Sequence, residues 1–191
     1  MLDVATKLKP SREEFIEDHR ILVFDDLVDR KKIVHYNDLF CLSDYTFLHS
    51  SRFDTKKYRE WMADFDVSDF VQHELYQVAL LAASQFSETP LNCYSAFCNA
   101  ITYGDQTFAH YDSENFENIS VLYYANESWK NEWNGETVFY SEDMEPKVAI
   151  GVKPGRVIVF GGGVYHRAGV PSRLCPDVRL TLSVRFEPKQ A

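Results

Sequence analysis

The sequence predicts a mainly β domain, a sandwich or barrel, with helices from the first half of the chain packed against it. Three observations carry this. Apolar residues recur at helical spacing up to Pro90 and at alternate positions beyond it. Turn-forming clusters (Tyr103-Gly-Asp, Trp133-Asn-Gly, Lys153-Pro-Gly and Gly161-Gly-Gly) divide the second half into strand-length pieces. The last apolar segment alternates cleanly. Leu180, Leu182, Val184 and Phe186 share one face, while Arg179, Thr181, Ser183 and Arg185 share the other. Helices first and short strands after is the order expected when helices cover one face of a sheet.

Taken in order, Ile21–Phe24 reads as a short strand and Val28–Phe40 as a helix. Asp54 is placed to cap a helix over Thr55–Phe65, and Ser68 to cap another. That second helix carries Val71, Leu75, Val78, Ala82 and Phe86 as a core stripe. Strands follow at Asn92–Tyr103, Thr107–Asp112, Ile119–Asn126, Glu136–Ser141, Lys147–Val152, Arg156–Phe160 and Val178–Glu187. The aromatic-rich stretch Asp44–Asp69 (Tyr45, Phe47, Phe53, Tyr58, Trp61) suits a substrate wall and ordinary packing equally well.

Composition narrows the classes. With 191 residues, 45% hydrophobic and 15% aromatic, the chain has enough apolar surface for one globular core. A formal net charge of −9 argues against a phosphate-tracking surface, so nucleic acid is not an expected partner. No apolar run approaches a membrane span, and the first fifteen residues lack a signal-peptide core, so no membrane partner is expected. Four cysteines without a CxxC pair fit reduced thiols and a cytoplasmic location. Oligomeric state is not legible.

The chemistry concentrates in His110-Tyr111-Asp112, answered fifty-six residues later by His166 and then by Arg179. On an extended segment, residues two apart point to one face, so His110 and Asp112 converge. Two imidazoles and a carboxylate on one face of an iron(II) ion form the ligand set of non-haem oxygenases and leave three positions open. Zinc takes similar ligands, but would leave Arg179 and the polar face of the last strand unexplained. His19, His35 and His73 lie in polar or helical surroundings and read as surface or structural residues.

With these residues in place, 92–187 resembles the catalytic core of the 2-oxoglutarate- and iron(II)-dependent oxygenases, in the prolyl-4-hydroxylase-like branch. Tyr103-Gly-Asp-Gln-Thr-Phe-Ala-His110-Tyr-Asp112 is similar to that branch's turn into HxD. Ile119-Ser-Val-Leu-Tyr-Tyr124-Ala-Asn126 resembles its YYLN strand, and Trp129 has a counterpart after it. Gly135-Glu-Thr-Val-Phe139, Val152-Lys-Pro-Gly-Arg-Val-Ile-Val-Phe160 and Arg179-Leu-Thr-Leu-Ser183 resemble three further strands of the family. Two departures stand out. The thirteen residues from His166 to Arg179 are more than is common, which makes Arg173 a rival anion-binder, and one glycine precedes Glu136 where the family usually has two.

The resemblance implies a double-stranded β-helix (a jelly roll, cupin-like) buttressed by helices. It implies a single domain over 1–191, with 1–90 mainly helical support and 91–191 the catalytic core. By match, His110, Asp112 and His166 are the metal ligands and catalytic residues. Arg179 binds the distal carboxylate of 2-oxoglutarate as a fork-to-carboxylate pair, and Tyr103, Tyr124 and Ser183 are further cosubstrate contacts. The implied reaction consumes Fe(II)-activated O2 and 2-oxoglutarate, with ascorbate as an accessory, and hydroxylates an unactivated C–H bond. The substrate is a small molecule, an amino acid or a peptidyl, including prolyl, residue. Two alternatives stay open: a non-catalytic jelly-roll binding protein, and an oxoglutarate-independent cupin-type metalloenzyme.

Overall fold

The computed structural model describes residues 7–189. Eleven strands and three helices run in the order β1 Arg12–Ile16, β2 His19–Phe24, α1 Arg30–Cys41, β3 Thr46–His49, β4 Glu60–Phe65, α2 Val67–Phe70, α3 Glu74–Ala83, β5 Leu91–Ile101, β6 Ile119–Tyr124, β7 Thr137–Tyr140, β8 Pro146–Ile150, β9 Val157–Gly161, β10 His166–Ala168 and β11 Arg179–Pro188. The strands form two sheets, an eight-stranded one ordered β1-β2-β9-β6-β11-β5-β4-β3 and a three-stranded one ordered β10-β7-β8. All the pairings are antiparallel. This is the mostly β, helix-buttressed jelly roll that the sequence implied.

The alternation of β11 divides the molecule into two cores. Leu180, Leu182, Val184 and Phe186 face the helices, with Cys98, Val121 and Val159 from neighbouring strands and Tyr36, Phe40, Leu75 and Ala82 opposite. The other face, with Leu122, Tyr124, Ile158 and Phe160, meets Phe139, Val148 and Ile150 of the small sheet. Burying a side chain of this size contributes about 1.5–3 kcal/mol. Helix α1 forms because Asp29 accepts from the Lys32 amide at 3.0 Å and because Ile33, Tyr36 and Phe40 fall on one buried stripe.

The first half departs from expectation in three ways. Residues 60–65, expected to be helical, are strand β4, hydrogen-bonded to β5 on one side and β3 on the other. Helix-compatible Glu, Met and Ala yield here to pairing that covers what would be the open edge of β5. The helix expected from Ser68 is two helices. Asp66 caps α2 through the Ser68 and Asp69 amides, and His73 Nδ1 caps α3 through the Leu75 amide at 3.2 Å. The expectation of mainly helical support over 1–90 is therefore corrected: the described part of that segment also supplies β1 to β4, half the strands of the large sheet.

In the second half, 107–112 is not a regular strand, and its backbone pairs with β10 through an isolated bridge, His110 to His166. The cysteines are all free. Among the described residues no helix is long and apolar enough to cross a membrane.

Candidate metal and cosubstrate site

The bridge between the two histidines organises the site. The His110 amide donates to the His166 carbonyl at 2.9 Å, and the His166 amide donates back at 3.0 Å. The Asp112 amide is tied to the Gly162 carbonyl at 2.9 Å. His166 opens β10, paired with Phe139 of β7, and its ring packs edge-on against Phe160 at 4.6 Å. Two segments far apart in sequence are thereby locked together at the backbone before any ligand arrives.

The side chains then converge. One ligand atom each from His110, Asp112 and His166 lies within 4.8 Å of the others. His110 Nδ1 faces the Phe108 carbonyl at 3.0 Å, and His166 Nδ1 faces the Val164 carbonyl at 2.9 Å. Each carbonyl takes an N–H, which leaves the Nε2 lone pair for a metal. Those Nε2 atoms sit 3.4 and 3.7 Å from opposite oxygens of Asp112.

Electrostatics treat the two histidines differently. Burial pushes His166 down to about 4, against the attraction of Asp112, so it is neutral near pH 7. Burial would lower His110 as well, but its hydrogen bond to Asp112 and that residue's charge raise it instead. Burial would raise Asp112, yet His166, His110 and Arg185 outweigh it and hold the carboxyl well below the usual range. Two imidazole nitrogens, of which His110 gives up its proton when a cation takes its place beside Asp112, and a committed carboxylate form a donor set that fits iron(II).

The Asp112 carboxylate is also anchored from outside the triad. Ser120 Oγ donates to Oδ2 at 2.6 Å, and Arg185 forms an ion pair with Oδ1. The sequence placed Arg185 on the polar face of the last strand but gave it no role. Its spacing of two, four and six from Ser183, Thr181 and Arg179 was the available signal, since all four share a face.

A narrow cavity runs from the triad to Arg179, lined also by His49, Glu60, Phe97, Asn99, Thr137 and Ser183. Its free volume is about 50 Å³. Arg179 is 1% exposed. It donates to the Gly135 carbonyl at 2.7 Å, Thr181 Oγ1 at 2.7 Å and Thr137 Oγ1 at 3.1 Å, and stacks 5.1 Å over the Tyr124 ring. Among the described residues no carboxylate lies within ion-pair distance of it, and burial pulls its pKa below the ordinary value. An uncompensated buried guanidinium is costly, so this end of the cavity is suited to an anion. Asn126 fixes the approach, its side chain bonding the Val178 carbonyl at 2.7 Å and the Leu180 amide at 2.9 Å on either side of Arg179.

The remaining sequence candidates divide. Ser183 is buried and lines the cavity. Tyr124 is fully buried behind Arg179, its hydroxyl bonded to Thr137 Oγ1 at 2.7 Å and to the Ile150 carbonyl at 3.1 Å. It supports the cavity from outside. Tyr103 is 62% exposed on the turn after β5 and does not line the cavity, so its assignment as a cosubstrate contact is withdrawn. Arg173 is exposed in the loop before β11 and is not among the lining residues.

An open groove of about 480 Å³ adjoins the triad and shares Ser51, His110 and Asp112 with the cavity. Tyr111 and Tyr165, their rings tilted against each other with centroids 4.7 Å apart, form part of its wall with Arg52 and Met144. Arg52 reaches the Ala109 carbonyl and the Tyr165 hydroxyl, binding the aromatic-rich segment 44–69 to the rim. Ser51 and Arg52 of that segment line the groove, while Tyr45, Phe47, Phe53, Tyr58 and Trp61 do not.

Residues 97–184 match the family model described as the 2OG-Fe(II) oxygenase superfamily. No curated protein matches the chain in sequence. Among solved structures, a Pseudomonas putida prolyl-4-hydroxylase is similar at TM-score 0.63 and 14% identity, over 90% of this chain and 94% of that one. A prolyl hydroxylase from Trichoplax adhaerens, in complex with a hypoxia inducible factor oxygen degradation domain peptide fragment, aligns at TM-score 0.65 and 12% identity, over 88% and 83%. The non-heme alpha ketoglutarate dependent epimerase SnoN from nogalamycin biosynthesis aligns at 0.64 and 13%, over 88% and 77%. At these identities the likeness is one of fold.

Proposed function

We propose that this chain is a 2-oxoglutarate-dependent dioxygenase of the 2OG-Fe(II) oxygenase superfamily, in which His110, Asp112 and His166 hold the iron while Arg179 holds the far carboxylate of 2-oxoglutarate. The observation that carries this is the pairing of the convergent triad with a buried, carboxylate-free guanidinium in one cavity. Iron(II) with bound 2-oxoglutarate and O2 supplies the oxidation, in which the cosubstrate becomes succinate and carbon dioxide while a substrate C–H becomes C–OH. The protein's part is positional. The Phe108 and Val164 carbonyls orient the imidazoles, Thr137 and Thr181 aim Arg179, and Ser183 lines the path between.

The substrate is a small molecule, an amino acid or a short peptidyl segment, including a prolyl residue. The open, tyrosine-walled groove of about 480 Å³ beside the triad supports this range, and the fold neighbours include one named for nogalamycin biosynthesis and one in complex with a peptide fragment. Ascorbate is carried as an accessory reductant.

The test is succinate formation by purified protein with Fe(II), 2-oxoglutarate and ascorbate, against Asp112→Ala and His166→Ala. Turnover in the parent and none in either variant is expected. Equal turnover in all three would overturn the ligand assignment. Oxidation that proceeds without 2-oxoglutarate would favour a cupin-type metalloenzyme, and metal binding with no turnover a binding protein.

A further inference from the structure

Asp112 is a buried carboxylate whose two oxygens have different neighbours. Oδ1 faces Arg185 and His110, while Oδ2 faces Ser120 and His166. Its side chain is 3% exposed, and among the described residues Arg185 is the only arginine or lysine in an ion pair with it. Arg185 has little else to hold it. Its guanidinium lies 5.0 Å over the Phe97 ring, and its Nε is buried without a hydrogen-bond partner. A buried carboxylate is tolerated only when charge and hydrogen bonds compensate it.

We propose that Arg185 is a positioning residue that stands in for the metal. In the metal-free protein it compensates Asp112 and fixes the plane of its carboxylate, so that the site is formed in advance. It continues to orient that carboxylate once the ion is bound. This rests on reading the triad as the metal site.

The consequence is a linkage. Removing one member of a buried ion pair strands the other, but a divalent cation at the triad compensates the same carboxylate. Loss of Arg185 therefore harms the metal-free protein more than the loaded one. A residue that only packed on Phe97 would harm both equally.

The experiment measures Tm with and without saturating Mn(II), a stable ion that accepts these ligands. For Arg185→Met, the metal-free Tm should fall by roughly 10 °C, and the rise on adding Mn(II) should exceed that of the parent. Arg185→Lys, which keeps the charge, should lie between them. A fall of equal size in both forms overturns the proposal. Absence of any Mn(II) effect on the parent would instead overturn the metal reading beneath it.

Asp112→Asn supplies an independent arm if Arg185→Met fails to fold. Without the carboxylate the cation is no longer required, so the metal-free double variant should be more stable than Arg185→Met alone. A double variant no more stable than that single variant overturns the proposal as well.

Discussion

Arg179 Nε donates to the Gly135 carbonyl at 2.7 Å, and Arg179 Cδ lies only 3.2 Å from where a methyl on that glycine would sit. The turn before β7 and the start of β11 thus fit together without room for a side chain. Gly135 also adopts φ +91, a conformation that L residues rarely take.

Gly135→Ala is therefore expected to cost about 1–3 kcal/mol of stability and to displace the guanidinium. Calorimetry should show weaker 2-oxoglutarate binding with Mn(II) binding unchanged. Unaltered affinity for 2-oxoglutarate would mean that this contact does not position Arg179.

Arg179→Met should weaken 2-oxoglutarate by about 2–4 kcal/mol, on the order of 30- to 1000-fold, as expected for a desolvated charge pair that loses one partner. Arg173→Ala should behave like the parent, because that side chain is exposed in a loop. The reverse pattern in apparent KM would move the anion site to Arg173.

Tyr124→Phe leaves Thr137 Oγ1 and the Ile150 carbonyl short of a partner inside the protein. A stability loss of about 1–3 kcal/mol is expected, with a raised KM for 2-oxoglutarate because Thr137 also receives Arg179. Tyr103→Ala, on an exposed turn, should change neither. A strong effect of Tyr103→Ala on KM would restore it as a contact.

Much of this was legible in the sequence, because strand periodicity reports directly on faces. The alternation of β11 placed Arg179, Thr181, Ser183 and Arg185 together, and all four line the cavity. What was not legible depended on partners remote in sequence. Nothing local in Glu60–Phe65 announces a strand, since its pairing with β3 and β5 is what makes it one. His49 and Glu60 reach the cavity only through that extension of the sheet. Arg185 needed Asp112, seventy-three residues away, to acquire a meaning. The tyrosine at 103 matched a family pattern, yet its turn leaves the side chain outside.

Away from the site, Asp25 joins β2 to the turn before β9 by bonding Arg156 Nε at 2.8 Å and Lys153 Nζ at 3.0 Å. The Arg156 hydrogen bond, working against burial and helped by Lys153, holds the Asp25 carboxyl below its ordinary value. A depressed folded pKa contributes stability that is complete above the ordinary value near 4 and is lost as pH falls through the folded one. Asp25→Asn should cost about 1–2 kcal/mol at pH 7 and much less near pH 2. An equal loss at both pH values in urea unfolding would show that the ion pair is not its source.

The central claim is that His110, Asp112 and His166 share one divalent ion. Mn(II) titration followed by electron paramagnetic resonance tests it most directly. One tightly bound ion per chain in the parent, with a large loss of affinity in both Asp112→Ala and His166→Ala, is the expected result. Undiminished tight binding by either variant would contradict it.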